Sequence, residues 1–171
     1  MGLVPRYRPA DIRPMWRMLV DSDTFRPAPV ADTSPLSGAD IDAITGLYAD
    51  GSQRGEAPDF FDPSMVEQGI FCGAWEGDGL VAVAGTHLIA PTVGVCAIGN
   101  VYTRQDHRCR GLAARVTSAV VAEAFRRNLR TVVLNVSQRN TEAAHLYERL
   151  GFRYYCDFVE GLARRSSQEQ R

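Results

Sequence analysis

Between Ile70 and Thr103 the chain carries three runs of apolar and β-forming residues, and from Gly111 the apolar spacing changes from a strand-like to a helical period. This change of period limits what the chain can fold into. The runs Ile70–Trp75, Leu80–Ile89 and Val95–Thr103 are joined by Glu76-Gly77-Asp78-Gly79 and Pro91-Thr92-Val93-Gly94, links short enough for an antiparallel meander. After Gly111, Leu112, Val116, Val120 and Ala124 form one helical stripe that ends at Arg126, Arg127 and Asn128. Thr131–Val136 reads as a strand. Asn140 opens a helix carrying Ala143, Ala144, Tyr147 and Leu150, Gly151 closes it, and Phe152–Val159 is a last strand before the polar tail Ser166–Arg171.

The first half follows the same logic. Val4–Arg8 reads as a strand, and Asp11, Ile12, Met15, Trp16, Leu19 and Val20 recur at the spacing of an amphipathic helix. Thr24–Pro35 is a proline-rich irregular loop. Ser37 and Asp40 form a capping box ahead of a helix carrying Ile41, Ile44, Leu47 and Tyr48. Asp62-Pro63 opens a short helix through Met65 and Val66 that Gly69 closes.

Composition removes several function classes. A net charge of −1 gives no field for gathering nucleic acid or an anionic membrane, so anion recognition has to be local. All 19 basic residues are arginine, so neither a Schiff-base lysine nor a GxxxxGK[ST] phosphate loop is available. The start lacks the apolar core of a signal peptide and no run is long enough to span a bilayer, which makes the cytoplasm the expected compartment. Cys72, Cys96, Cys109 and Cys156 are scattered without a C-x-x-C pair, so neither a zinc site nor a disulfide framework is expected. The length suits one domain, residues 1–165, followed by the tail 166–171.

The chemistry concentrates where the period changes. A strand ending near Thr103, a turn of Arg108-Cys109-Arg110-Gly111 and a helix opening at Leu112-Ala113 present free backbone N–H groups at a helix N-terminus. Such an end attracts phosphate through its partial charge and converging amides, and Arg108 and Arg110 can add charge-assisted hydrogen bonds.

Downstream, Leu134-Asn135-Val136-Ser137-Gln138-Arg139-Asn140, then Ala143-Ala144, then Leu146-Tyr147-Glu148-Arg149-Leu150-Gly151-Phe152 complete a pattern. Together with Gly99-Asn100-Val101-Tyr102-Thr103 and the cradle, this pattern resembles the GCN5-related N-acetyltransferase (GNAT) superfamily over residues 80–158, and most closely its FR47-like branch. The resemblance implies an α+β fold: a central mixed, mostly antiparallel sheet of six to seven strands flanked by about four helices. It implies acetyl-coenzyme A as co-substrate, with no metal, and transfer of its acetyl group to a primary amine on a small molecule or peptide. Arg108, Gly111 and Ala113 fill the pyrophosphate-binding places, with Cys109, Arg110 and Leu112 between them. Main-chain groups of Val101, Tyr102 and Thr103 would pair with the pantetheine, with Asn135, Asn140 and Ala143 nearby, and Tyr147 would lie by the thioester sulfur as the acid. Val101 N–H is the expected oxyanion donor.

The strand carboxylate that serves as base in some relatives falls at Ala97, which cannot do that work. His87, on the preceding strand, is one replacement, because imidazole ordinarily titrates near pH 6.5. Water relayed by Asn100 or by a main-chain carbonyl is another. His107 and His145 are expected at the surface or behind the site. The acceptor side is expected from the first two helices, the proline-rich loop and Gly55–Phe61; Glu56, Asp59, Asp62 and Phe60-Phe61 could line an amine pocket there, but a solvated loop with a buried aromatic anchor is the favoured reading. A sensor that binds acyl-coenzyme A without turnover is the competing reading, and edge strands of this architecture pair into homodimers.

Overall fold

The computed structural model describes residues 7–165 except 54, 57 and 59. Its strands are β1 (Tyr7–Asp21), β2 (Thr33–Pro35), β3 (Phe71–Glu76), β4 (Gly79–Ala90), β5 (Val95–Thr103), β6 (Thr131–Ser137) and β7 (Arg153–Arg165). Four α-helices accompany them: α1 (Ile41–Ser52), α2 (Ser64–Gln68), α3 (Leu112–Arg126) and α4 (Thr141–Arg149). The strands form one sheet in the order β2-β3-β4-β5-β6-β1-β7. Every neighbouring pair is antiparallel except β5 and β6, which the α3 crossover makes parallel. This is the expected α+β class.

Strand alternation sorts side chains onto two faces. Cys96 and Ile98 of β5, Val132, Leu134 and Val136 of β6, and Met18 and Val20 of β1 are buried in one cluster with Val116, Val120 and Val121 of α3 and Ala144 and Tyr147 of α4. On the other face Phe71, Val83 and Tyr102 pack with Ile44, Leu47 and Tyr48 of α1 and Val66 of α2. Ser37 and Asp40 do form a capping box, and it sits on the 3-10 turn that leads into α1.

Two predictions fail. Thr33–Pro35, expected inside the proline-rich loop, pair with β3 as the edge strand β2. Residues 11–20 belong to β1, a strand inserted between β6 and β7, and not to a helix. Irregularities at Ala10/Arg13 and Arg17/Met18 interrupt its pairing with β7, and Asp11 takes a φ of 51°. Only the first adds a residue to β1; from Met15 to Asp21 the strand alternates without a break, and apolar residues on both of its faces, at 15, 16, 19 and 20, imitate a helical spacing. Pro14 lies inside the run, where a helix would lose a hydrogen bond and clash. Val4 to Arg6 and the tail 166–171 lie outside the described residues.

Thr86 ties α2 to the sheet. Its hydroxyl accepts from Ile70 N at 2.9 Å, its own N–H donates to Ile70 O at 3.0 Å, and the residue is 2% exposed. Thr86→Val keeps the shape and leaves the Ile70 N–H buried without an acceptor, so it is expected to cost about 1–3 kcal/mol in chemical denaturation.

Candidate active site

The parallel ladder between β5 and β6 runs from Val95↔Thr131 to Ile98↔Leu134 and stops there. Gly99–Thr103 and Asn135–Ser137 continue their strands beyond that point without pairing to each other. Two bulges sit beside the opening. Between Gly99 and Tyr102, β5 spends one residue more than β4 does between Gly85 and Val83, and Asn100 takes a left-handed φ of 52°. On β4 the register shifts between Thr86 and Leu88, which leaves His87 as the extra residue. Bulges of this kind re-aim side chains and end pairing.

Tyr48 holds the β5 bulge by donating from its hydroxyl to Asn100 O at 2.8 Å. Burial pushes the Tyr48 phenol well above its ordinary range, so it stays a donor. Asn100 is 4% exposed and its Nδ2 reaches Met65 Sδ at 3.5 Å. Asn100 Oδ1 and Thr103 Oγ1 are buried without a partner. Two orphan polar atoms at the opening suit a polar ligand there.

At the far end of β5, Gln105–His107 form a 3-10 turn and the chain enters α3 through Cys109 (φ 60°) and Gly111 (φ 76°). No side chain caps α3 and its first turn holds no acidic residue. A Cβ at Gly111 would meet open space, so the residue is there for its backbone angle, and the first-turn N–H groups face outward uncovered. Leu112 is buried beneath them and Ala113 is half-buried.

The two cradle arginines are already engaged. Arg108 reaches Glu56 with Nη2 at 2.5 Å and Nη1 at 3.3 Å, donates from Nε to Thr103 O at 3.2 Å, and lies 5.8 Å from the Tyr102 ring centroid. Arg110 Nη2 donates to Glu76 at 2.9 Å. Cys109 is exposed. The expected picture of both guanidinium groups turned toward a ligand gives way to one in which the backbone is the bare anion receptor.

Of the two places expected for His107 it takes the one behind the site, since its side chain is only 6% exposed. Its Nδ1 meets Asp106 at 2.6 Å and its Nε2 meets Glu76. The hydrogen bonds to Asp106 and then Glu76 raise its pKa. Arg104 and then His107 hold Asp106 at about 2, and Arg110 and then His107 hold Glu76 at about 2.

His87 is exposed, yet its imidazole lies directly on Gly99, where a methyl group would overlap the ring. Gly99 is the first β5 residue past the last ladder pair, so the ring sits at the mouth of the opening. It lies on the α1 face, because Gly99 pairs with Gly85, against which Phe71 packs. Ala97 shares that face through its pairing with Val133. His145 is exposed on α4.

On α4, Asn140 Oδ1 accepts from Ala143 N at 3.1 Å and caps the helix. Tyr147 is 8% exposed, packs edge-on against Phe152 at 5.8 Å, and has its pKa pushed up to about 12 by burial. Asn140 is exposed at the N-cap, and Tyr147 is buried two turns further on. Asn135 is committed across the sheet: its Oδ1 accepts from Arg17 Nε at 3.0 Å and its Nδ2 donates to Glu160 at 2.7 Å. Of the expected acceptor lining, Phe61 packs on Tyr48 at 5.1 Å and Phe60 is exposed, while Asp59 lies outside the described residues. Sequence reasoning missed Tyr48 and Arg17, which meet the site only through long-range contacts.

Two outcomes follow from this geometry. Gly99→Ala is expected to displace the His87 ring, read as a change in its NMR shifts with the fold retained. Because the folded pKa of His107 is raised, its contribution to stability is present below about pH 6.5 and declines as pH rises through the folded value. His107→Gln should flatten the fall in stability as pH rises above about 6.5, measured by urea denaturation at a series of pH values.

Residues 41–152 match the family model described as the acetyltransferase (GNAT) family. Over 101 residues the chain is 39% identical to the mycothiol acetyltransferase of Geodermatophilus obscurus, covering 57% of this chain and 31% of that protein. The match thus spans less than a third of that curated relative. A GNAT-family acetyltransferase structure from Novosphingobium aromaticivorans superposes with a TM-score of 0.81 at 25% identity, covering 98% of this chain and 72% of that one. A GCN5-related N-acetyltransferase from Sphaerobacter thermophilus shares the fold with a TM-score of 0.62 at 21% identity, covering 96% of this chain and 55% of the other.

Proposed function

The chain belongs to the acetyltransferase (GNAT) family, and from that premise we propose that it transfers an acetyl group from acetyl-coenzyme A to a primary amine within a ternary complex. The end of the β5–β6 ladder at Ile98↔Leu134 carries this reading. It leaves a slot between two strands whose backbone groups seek partners, and the slot leads from the bulge at Asn100 to the uncapped α3 N-terminus. A pantetheine chain has amides for the slot, and a pyrophosphate has the charge for the helix end.

Bound there, acetyl-coenzyme A supplies an activated acyl group on a thiolate leaving group. The residues of the chain do the rest. Val101 N–H, just past the bulge, donates to the carbonyl oxygen as it gains charge. His87 at the mouth of the slot takes the proton from the attacking amine. Tyr147 serves beside the sulfur as the acid: burial pushes its phenol up to about 12 and so keeps it protonated until the thiolate leaves. Leu112, Ala113 and Gly111 receive the pyrophosphate through their backbone. Arg108 and Arg110 are in solvent-screened surface pairs of the weak kind, so a phosphate can draw either guanidinium from its carboxylate. Thr103 Oγ1 and Tyr102 line the slot, Asn140 keeps its Nδ2 for the pantetheine, and Ala143 leaves room beside it.

We further read the chain as a member of the FR47-like branch, one acyltransferase domain over 1–165 working in the cytoplasm on a small-molecule or peptide amine, with the outer edge of β7 supporting a homodimer. The absence of a carboxylate at Ala97 favours a second reading, an acyl-coenzyme A sensor without turnover.

Acetyl-coenzyme A is expected to raise the Tm, and thiol release across an amine panel separates enzyme from sensor, which binds coenzyme but releases thiol with no acceptor. Tyr147→Phe should lower kcat about tenfold to a hundredfold with coenzyme affinity kept, and His87→Gln should lower it about a hundredfold. Equal losses of turnover and coenzyme binding would remove Tyr147 from its place at the sulfur.

A further inference from the structure

The α1 face of the sheet continues past β5 onto β6, β1 and β7, where Val133, Asn135, Arg17 and Phe158 stand half-buried. Arg17 is unusual among the arginines near the site. Its guanidinium carbon lies 3.9 Å from the centroid of the Phe158 ring, and its Nε donates to Asn135 Oδ1 at 3.0 Å. Asn135 in turn donates to Glu160 at 2.7 Å, so the amide is locked in the orientation that receives Arg17. Arg104, Arg108 and Arg110 each meet a carboxylate, whereas among the described residues Arg17 meets none. The aromatic platform and the amide fix the fork and leave both terminal nitrogens for a ligand.

Register places this fork beside the slot. Asn135 is the first β6 residue past the last ladder pair, as Gly99 is on β5, and Arg17 is the β1 partner of Asn135. At about 4.8 Å between strands, Arg17 stands two strands, or about 10 Å, from the Gly99 backbone on which His87 lies. Both project from the same face.

We propose that Arg17 is a specificity-determining residue that receives the carboxylate of the acceptor, so that the amine acetylated belongs to an amino acid or peptide-like molecule bearing a free carboxylate within about 10 Å. The amine meets His87 at the slot and the carboxylate takes the two Arg17 Nη groups in a bidentate pair. Glu160, two residues along β7 from Phe158, fixes Asn135 and turns a carboxylate away from the Asn135 amide toward the fork. This inference rests on the acetyltransfer reading and narrows it to an acceptor class.

The test sets amino acids and dipeptides beside their methyl esters, with acetyl-coenzyme A as donor. The free acids are expected to exceed their esters by about 30-fold in kcat/KM, mainly through KM. Arg17→Gln should bring that ratio to within about threefold of one, and Arg17→Lys should keep only part of it, because an ammonium lacks the fork. Retained thermal protection by acetyl-coenzyme A certifies that each variant is folded. Equal use of acid and ester by the wild type, or an equal loss on both in Arg17→Gln, overturns the proposal. Should no amine release thiol, acetyltransfer fails, and calorimetry with N-acetyl dipeptides and their methyl esters decides the question of Arg17. Acid binding that depends on Arg17 upholds the carboxylate site, and equal binding of acid and ester sinks it.

Discussion

Four ladder pairs hold β5 to β6, and the chain geometry that ends them organises the site. A parallel ladder could have continued for several residues more, since both strands extend further. The bulge at Asn100 bends β5 away, and its carbonyl is drawn to Tyr48 on α1. The cost falls on backbone groups that lose their ladder partners and on two side-chain oxygens left buried without any. Each such buried group is worth about 1–3 kcal/mol when unpaired. A fold keeps that debt where a ligand settles it, and the slot ends at the one helix of the sheet crossover whose N-terminus is uncapped.

Charge around the slot is balanced, not accumulated. Arg104, Arg108 and Arg110 each sit on a carboxylate, and His107 joins Asp106 to Glu76 beneath them. With a net charge of −1, the protein presents no broad positive field, and the attraction for a phosphate comes from backbone N–H groups in a fixed arrangement. The ion pairs serve a second end. Arg108 links Glu56, on the segment after α1, to Thr103 at the end of β5, so the cradle and the acceptor side share one side chain.

What the sequence made legible was whatever is written in consecutive residues. The meander, α3, β6, α4 and the capping box at Ser37 follow from local period and capping chemistry, and so does the bare turn at Gly111. β1 was hidden because apolar residues stand on both of its faces, Met15 and Leu19 on one and Trp16 and Val20 on the other, and Pro14 was the local sign that a helix could not pass. Tyr147 was legible as a position on α4 and not as an environment, because its burial comes from packing against Phe152, beyond the end of the helix. The salt bridges of Arg108 and Arg110 lie between residues 52 and 34 apart in the chain, and no local pattern announces them.

The same distinction separates the two halves of the site. The donor half runs through one continuous stretch from Gly99 to Ala113 plus the start of α4, so its residues sit in one readable order. The acceptor half proposed above is assembled from β4, β1 and β7, with Arg17 and Asn135 separated by 118 residues and joined by a single hydrogen bond. Placing β1 between β6 and β7 is what brings Arg17 beside β6; as the helix that its spacing suggests, the same residue would have stood elsewhere. A strand in that position is paired on both sides, which holds its backbone rigid, and a rigid backbone is what a stacked guanidinium needs to discriminate a carboxylate from its ester.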